Sequence, residues 1–350
     1  MNKEKNFFQD TQEIIKNVKS ELFQLKKKKI LLIGYNGFLG RYFVNVFNEI
    51  IKRNLCTFSV DCYDNYISSD IKFFQKFNLS KEIKLFKNDI RTKKIKKKYD
   101  YIIFLAGIAS PWIYKKFPLQ TLSVSYEGVL NMLKKSRADR SSFIFFSSSE
   151  IYGNPDKKNI PTKEIYYGNV NSFGPRSCYD EGKRVGESLC YVFHKYYKTN
   201  IKIIRPFNVF GPEMEKKDYR IMPNIIDKLT NNKTIHIHGD GNQTRTFCYI
   251  TDAITGFLKV IINGKNGEIY NIGNKFNEIS MIKLVRLFKQ ILKNKKINYK
   301  TVKYPEGYPT DEPARRCPNI SKAQKHLNFN PSVDIRSGII KVLKANFLLK

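Results

Sequence analysis

Short continuous apolar runs alternate with longer stretches of helical period over the first two-thirds of this 350-residue chain. Lys29-Ile30-Leu31-Leu32-Ile33 reads as a buried strand and runs into a glycine-rich turn and a helix that reaches about Ile51. Thr57–Val60, Tyr101–Leu105, Ser142–Phe146 and Ile201–Arg205 repeat the strand pattern, with helical stretches at about Leu119–Lys135 and Cys178–Lys198 between them. Strands alternating with helices predict an α/β chain built on a doubly wound parallel sheet. Ahead of the first strand, Ile14, Ile15, Val18, Leu22 and Leu25 keep a helical period, so residues 1–28 form a helical extension. After Pro206 the pattern changes to a helix at 222–230, a strand at Thr234–His238 and a Gly239-Asp240-Gly241 turn. Ile250–Ile262 (helix) and Glu268–Ile272 (strand) return to the main sheet, and Leu284–Leu292 is helical. Tyr304–Pro318 holds four prolines and a glycine and reads as an ordered loop. The predicted organisation is a dinucleotide-binding domain over 29–205, with returning segments at about 246–273. A smaller α/β substrate domain takes 206–245 and 274–350.

Candidate chemistry sits at the ends of these strands. Gly34, Gly37 and Gly40 follow the first strand at three-residue spacing, with Phe38 and Leu39 opening the helix. Glycines there let the backbone approach a pyrophosphate at a helix N-terminus. The second strand leads to Asp61 and Asp64-Asn65; an acid at this place binds the adenosine ribose hydroxyls and favours NAD over NADP. Asp64 is the first choice and Asp61 the alternative. Asp89-Ile90 and Leu105-Ala106 are further candidates to touch the cofactor. Downstream, Ser147-Ser148-Ser149-Glu150 ends an apolar run, and Tyr179 and Lys183 lie four apart at the head of a helix. That spacing puts phenol and ammonium on one face. A neighbouring cation lowers a phenol pKa from its usual value of about 10, making Tyr179 a base that Ser148 can assist.

Composition changes this picture little. The net charge is +32, with lysines spread over the whole chain. A nucleic-acid surface is one reading, but no stacking motif, zinc finger or basic helix accompanies the lysines, and solvated side chains are favoured. Six cysteines include no Cys-x-x-Cys pair, which suits a reduced cytoplasm. No apolar run approaches a membrane span, and no signal peptide is read at the N-terminus. His236 and His238 alternate on a strand without a carboxylate or cysteine cluster, so no metal site is expected.

Gly34/Gly37/Gly40, Asp64-Asn65, Ser148, Tyr179/Lys183, Arg205-Pro206-Phe207-Asn208 and Gln243-Thr244-Arg245-Thr246-Phe247 together resemble the extended short-chain dehydrogenases/reductases. These are Rossmann proteins, and the resemblance falls in their nucleotide-sugar epimerase/dehydratase group, over about residues 29–345. Arg176-Ser177-Cys178-Tyr179-Asp180-Glu181-Gly182-Lys183-Arg184, Ala109-Ser110-Pro111 and Arg316-Cys317-Pro318-Asn319-Ile320-Ser321 are most similar to the UDP-glucuronate decarboxylases. Dehydratases of the group carry Asp-Glu where this chain has Ser149-Glu150, and a serine cannot protonate a departing hydroxyl at neutral pH. Ser125 and Ala106-Gly107-Ile108 depart from the group's usual wording.

The resemblance implies tightly held NAD and a nucleotide-activated uronic acid as substrate, most simply UDP-glucuronate. Tyr179 would take the C4 hydroxyl proton beside Ser148, and Lys183 would hold the nicotinamide ribose. The 4-ketone so formed lies β to the carboxylate, which leaves as CO₂ near Ser149, Glu150 and Arg316. Ser110, Asn208, Arg220 and Arg245 would join Glu150 and Arg316 in binding substrate. A homodimer through helices 119–135 and 178–198 is also implied. A nucleotide-sugar 4-epimerase or 4,6-dehydratase is the alternative within the group.

Overall fold

The computed structural model describes residues 2–215, 218, 220–293, 295–304 and 313–349. Among them, seven strands form one parallel sheet: β1 (Lys29–Ile33), β2 (Ser59–Asp64), β3 (Ile83–Lys87), β4 (Tyr101–Phe104), β5 (Ser142–Phe146), β6 (Asn200–Pro206) and β7 (Glu268–Ile272). Their spatial order is β7-β6-β5-β4-β1-β2-β3. The order reverses at β1, where Ile30 pairs with Val60 on one side and Tyr101 on the other. In a doubly wound sheet the ligand crevice opens at that switch point, beyond the carboxyl ends of the strands. Helices cover both faces, which is why β5 is apolar and buried along nearly all of its length.

One element differs from the sequence reading for a physical reason. The second strand runs Ser59–Asp64, not Thr57–Val60, and both aspartates lie within it. Their polarity hid the strand, but Asp61 is satisfied inside the fold, accepting hydrogen bonds from Tyr99 Oη at 2.6 Å and Lys97 Nζ at 2.7 Å. The helix expected at 119–135 runs without a break over 118–139, as Pro118–Ser123, a π-helical turn at Val124–Gly128 and Val129–Asp139, and a short helix at Pro111–Lys116 precedes it. Pro111 and Pro118 each open one of these two helices, where a missing N–H costs nothing.

Beyond Pro206 the chain builds small sheets. Val209–Phe210 pairs in parallel with Cys248–Tyr249, and Ile235–His238 with Tyr299–Val302. Thr244–Thr246 lies between Glu278–Ser280 and Arg315–Arg316, a register that sets Arg316 opposite Arg245. The span read as a loop therefore holds a strand at Arg315–Arg316; residues 305–312 of that span lie outside the described residues. The N-terminal helix Asn2–Asn17 packs against helices Phe38–Lys52, Ile250–Asn263 and Ile335–Ala345, burying Ile14 and Ile15, with Val18 buried just past its end. One apolar cluster runs from Ile30 through Phe146 and Phe257 to Ile320 and Ile339, so the two halves share a core.

Candidate active site

The glycine turn after β1 leaves a cradle that side chains would fill. A Cβ on Gly34, whose φ is +84°, would stand 2.7 Å from the Ala106 nitrogen, and one on Gly40 would stand 2.4 Å from the Gly34 oxygen. Gly37, the N-cap of helix Phe38–Lys52, faces only the Gly34 oxygen at 3.5 Å. The first-turn amides at Phe38 and Leu39 thus start a helix whose N-terminus suits an anion. A cleft runs on from Gly34 and Gly37 past Asp64 and Asn65, Asp89 and Ile90, to Leu105 and Ala106. Asp64 lines this cleft, accepting from the amides of Tyr66 at 2.7 Å and Asn36 at 3.0 Å. Burial raises its pKa while those amides oppose the shift. Asp61 is turned to Tyr99 and Lys97, so of the two acids Asp64 lines the cleft. Asp89 is gripped by the Arg91 guanidinium, which holds its carboxyl at about 2. A narrow glycine floor, a helix N-terminus and an acid at the far end fit a dinucleotide.

Beside this cleft lie the residues of the Ser/Tyr/Lys set. Ser148 caps the 3₁₀ turn Ser149–Tyr152, its hydroxyl accepting from the Glu150 amide at 3.2 Å. It also hydrogen-bonds Tyr179. Lys183, one turn along from Tyr179, donates to the Phe146 carbonyl at 2.8 Å and lies 5.9 Å from the Tyr179 ring centroid. The lowering expected for the phenol is not what the protein alone produces. Burial pushes Tyr179 up to about 12, against the Ser148 hydrogen bond, and burial pushes Lys183 down to about 8. A 7% exposed phenol has lost the water that would solvate its anion, and Lys183 directs its ammonium at a backbone carbonyl.

Glu150 is the centre of charge. Arg316 forks onto both of its oxygens, with Nη2–Oε2 at 2.7 Å, and Arg176 binds Oε2 from the other side. Burial alone would raise this carboxyl, but Arg316, Arg176 and Arg245 outweigh it and hold the group at about 2. Arg176 in turn donates to Asp180 at 3.1 Å, and burial with the nearby Glu150 carboxylate raises Asp180 to about 7. Ser149 is buried in the same turn as Glu150. Arg245 donates to the Thr244 carbonyl at 2.8 Å. Arg220 forks onto Asp218 at 2.9 Å and is close enough to Tyr179 and Glu150 to feel both charges. Asn208 takes a φ of +38°, and its Nδ2 is buried with no hydrogen-bond partner among the described residues. The Ser110 hydroxyl is buried in the same condition.

Arg176, Asp180 and Tyr114 belong to this constellation although the sequence reading assigned them no role. Tyr114 stacks on Tyr179, with centroids 5.8 Å apart and planes within 9°. The Arg176–Asp180 pair carried a usable signal, because residues four apart at a helix start face each other. Tyr114 carried none, since only the fold brings its short helix against Tyr179.

A doubly wound sheet with a dinucleotide cleft at its switch point, and Ser148, Tyr179 and Lys183 beside it, defines a dinucleotide-dependent oxidoreductase scaffold. Comparison with known proteins narrows this. The model of the NAD dependent epimerase/dehydratase family matches residues 30–273. The chain belongs to that family, and NAD is its cofactor. It is 34% identical to UDP-glucuronic acid decarboxylase 3 of Arabidopsis thaliana, over 92% of this chain and 90% of the relative. UDP-glucuronic acid decarboxylase 1 of Xenopus tropicalis is 32% identical over 92% of this chain and 73% of its own length. Among solved structures, a UDP-glucuronic acid 4-epimerase from Bacillus cereus, in complex with UDP-glucuronic acid and NAD, superposes with a TM-score of 0.76. The two are 26% identical over 91% of this chain and 99% of the epimerase.

Proposed function

We propose that this protein oxidises and decarboxylates UDP-glucuronate, yielding UDP-xylose or its 4-keto form. The observation that carries the reading is Glu150 held ionised between Arg316 and Arg176, with Ser149 beside it where a dehydratase needs an acid. NAD, held by the glycine cradle, Asp64, Asn65, Asp89 and Lys183, supplies the hydride acceptor for oxidation at C4. Tyr179 accepts the C4 hydroxyl proton while Ser148 hydrogen-bonds the same oxygen. With C4 a ketone, the C6 carboxylate is β to a carbonyl, and its C5–C6 electron pair passes into an enolate as CO₂ leaves. Arg316 balances that negative charge until C5 takes a proton, which leaves the UDP-4-keto-pentose; UDP-xylose forms where the hydride taken from C4 is returned to the ketone and Tyr179 gives the proton back. Asn208, Arg220 and Arg245 bind the diphosphate and nucleotide, the guanidinium fork matching phosphate oxygens. The relatives named UDP-glucuronic acid decarboxylase support the substrate.

The test is release of labelled CO₂ from UDP-[6-¹⁴C]glucuronate by the purified protein with NAD. One CO₂ per sugar and a UDP-pentose or UDP-4-keto-pentose by mass spectrometry are expected. Epimerised UDP-hexuronate with its carboxylate retained would instead establish the 4-epimerase reading.

The assembly proposed is a homodimer. Leu119, Leu122 and Tyr126 on one helical segment, and Tyr191, Val192 and Tyr196 on helix Ser177–Tyr197, are exposed apolar side chains on neighbouring elements. Pairing two such faces into a four-helix bundle would cover them. Light scattering should give twice the 41.0 kDa chain mass, and a concentration-independent monomer would refute it. No helix among the described residues is long and apolar enough to cross a membrane, and a cytoplasmic location is part of the same proposal.

A further inference from the structure

The N-terminal helix precedes the family match, and nothing in the reaction above uses it. It nevertheless buries a carboxylate. Asp10 is 2% exposed and accepts hydrogen bonds from Tyr249 Oη at 3.0 and 2.9 Å and from Tyr42 Oη at 3.2 Å, with Lys341 Nζ at 3.8 Å. Burial pushes this carboxyl up to about 7, against the pull of Lys341 and Tyr249. A helix serving only as a cover could bury apolar residues there, as it does with Ile14 and Ile15, without that desolvation cost.

The two phenols lead to the substrate half. Tyr42 lies in the helix that starts at the glycine cradle, and its hydroxyl is also 3.3 Å from the Pro212 carbonyl. Tyr249 belongs to the strand pair Cys248–Tyr249 with Val209–Phe210, and the Cys248 amide donates to the Asn208 carbonyl at 3.2 Å. Glu13, one turn on, ties the same helix to Thr251 at 2.8 Å and Lys341 at 2.7 Å. Asn208 itself sits at φ +38°, a backbone state that persists only where its surroundings hold it. Through Tyr249 and Tyr42, Asp10 therefore bears on the stretch from Asn208 to Pro212.

We propose that Asp10 is a positioning residue: through Tyr249 and Tyr42 it holds residues 206–212 so that Asn208 is set to receive the substrate diphosphate. The last clause rests on the proposed reading of Asn208 as a substrate contact. In the full chain, Asp10→Ala, Asp10→Asn and Tyr249→Phe are compared with wild type by amide hydrogen exchange and by titration with UDP and with NAD. In Asp10→Ala, exchange should quicken in 206–212 and 248–251 but not in β1, β4 or β5. UDP affinity should fall about tenfold, the scale of one hydrogen bond to a charged group, while NAD affinity stays within twofold. Asp10→Asn should fall between, because its amide oxygen still accepts a phenol hydrogen bond. Unchanged exchange at 206–212, a uniform rise over the whole chain, or equal loss of UDP and NAD affinity would overturn the proposal. Should Asp10→Ala fail to fold, the same outcomes are read from Asp10→Asn and Tyr249→Phe. A wild-type chain that binds NAD but not UDP would sink the substrate reading, and the exchange pattern would still decide the role of Asp10.

Discussion

Tyr179→Phe should abolish turnover by about 10²–10⁴-fold, the range of a positioned general base, while leaving the fold and NAD binding intact. The phenol oxygen is shared with Ser148 and faces the cluster of Glu150 and Arg220, whereas the ring packs on Tyr114, a contact that phenylalanine keeps. Removing the hydroxyl therefore removes proton transfer and leaves packing in place. A phenol raised to about 12 by burial is protonated at neutral pH, so a base role requires that bound cofactor and substrate lower it. Lys183 remains largely an ammonium below its value of about 8, so at pH 7 the variant should differ from wild type only at the base. Single-turnover measurement of NAD reduction isolates this step. Near-normal reduction in the folded variant would remove Tyr179 from the mechanism.

Arg316→Ala should reduce CO₂ release by about 10²-fold or more, the scale of losing a preorganised donor to a developing anion. It should also destabilise the protein. Breaking a buried ion pair costs about 3–5 kcal/mol when a charge is stranded, and here the figure should sit near or below the lower end because Arg176 still holds Glu150. Arg316→Lys separates the two effects. A lysine restores charge without the two-pronged fork, so stability should largely return while decarboxylation stays depressed. Thermal unfolding and labelled CO₂ release, measured on the same preparations, read both quantities. Release within twofold of wild type in Arg316→Ala would exclude Arg316 from the chemistry. Ser149→Asp probes the neighbouring position in the opposite sense, adding negative charge where the substrate carboxylate would lie.

The sequence by itself determined the parts of this protein that depend on local spacing. The glycine turn, the strand–helix alternation and the Tyr179/Lys183 face follow from periodicities of a few residues, and the sheet is built from them. The paired Ser149-Glu150 and the Arg316 segment were equally legible as residue types. What these residues do to one another was not. Arg316 meets Glu150 across 166 positions because a two-residue strand aligns it opposite Arg245, in a span whose prolines read as loop. Arg176 and Asp180 stood in view at helical spacing, yet their importance comes from Glu150, which only folding brings beside them. Second-strand polarity misled for the same reason, since Asp61 is paid for by Lys97 and Tyr99 from elsewhere in the chain. Proton affinities were decided last and by tertiary structure alone. Desolvation raises Tyr179 and lowers Lys183, and burial is a property of the packed molecule that no spacing of residues encodes.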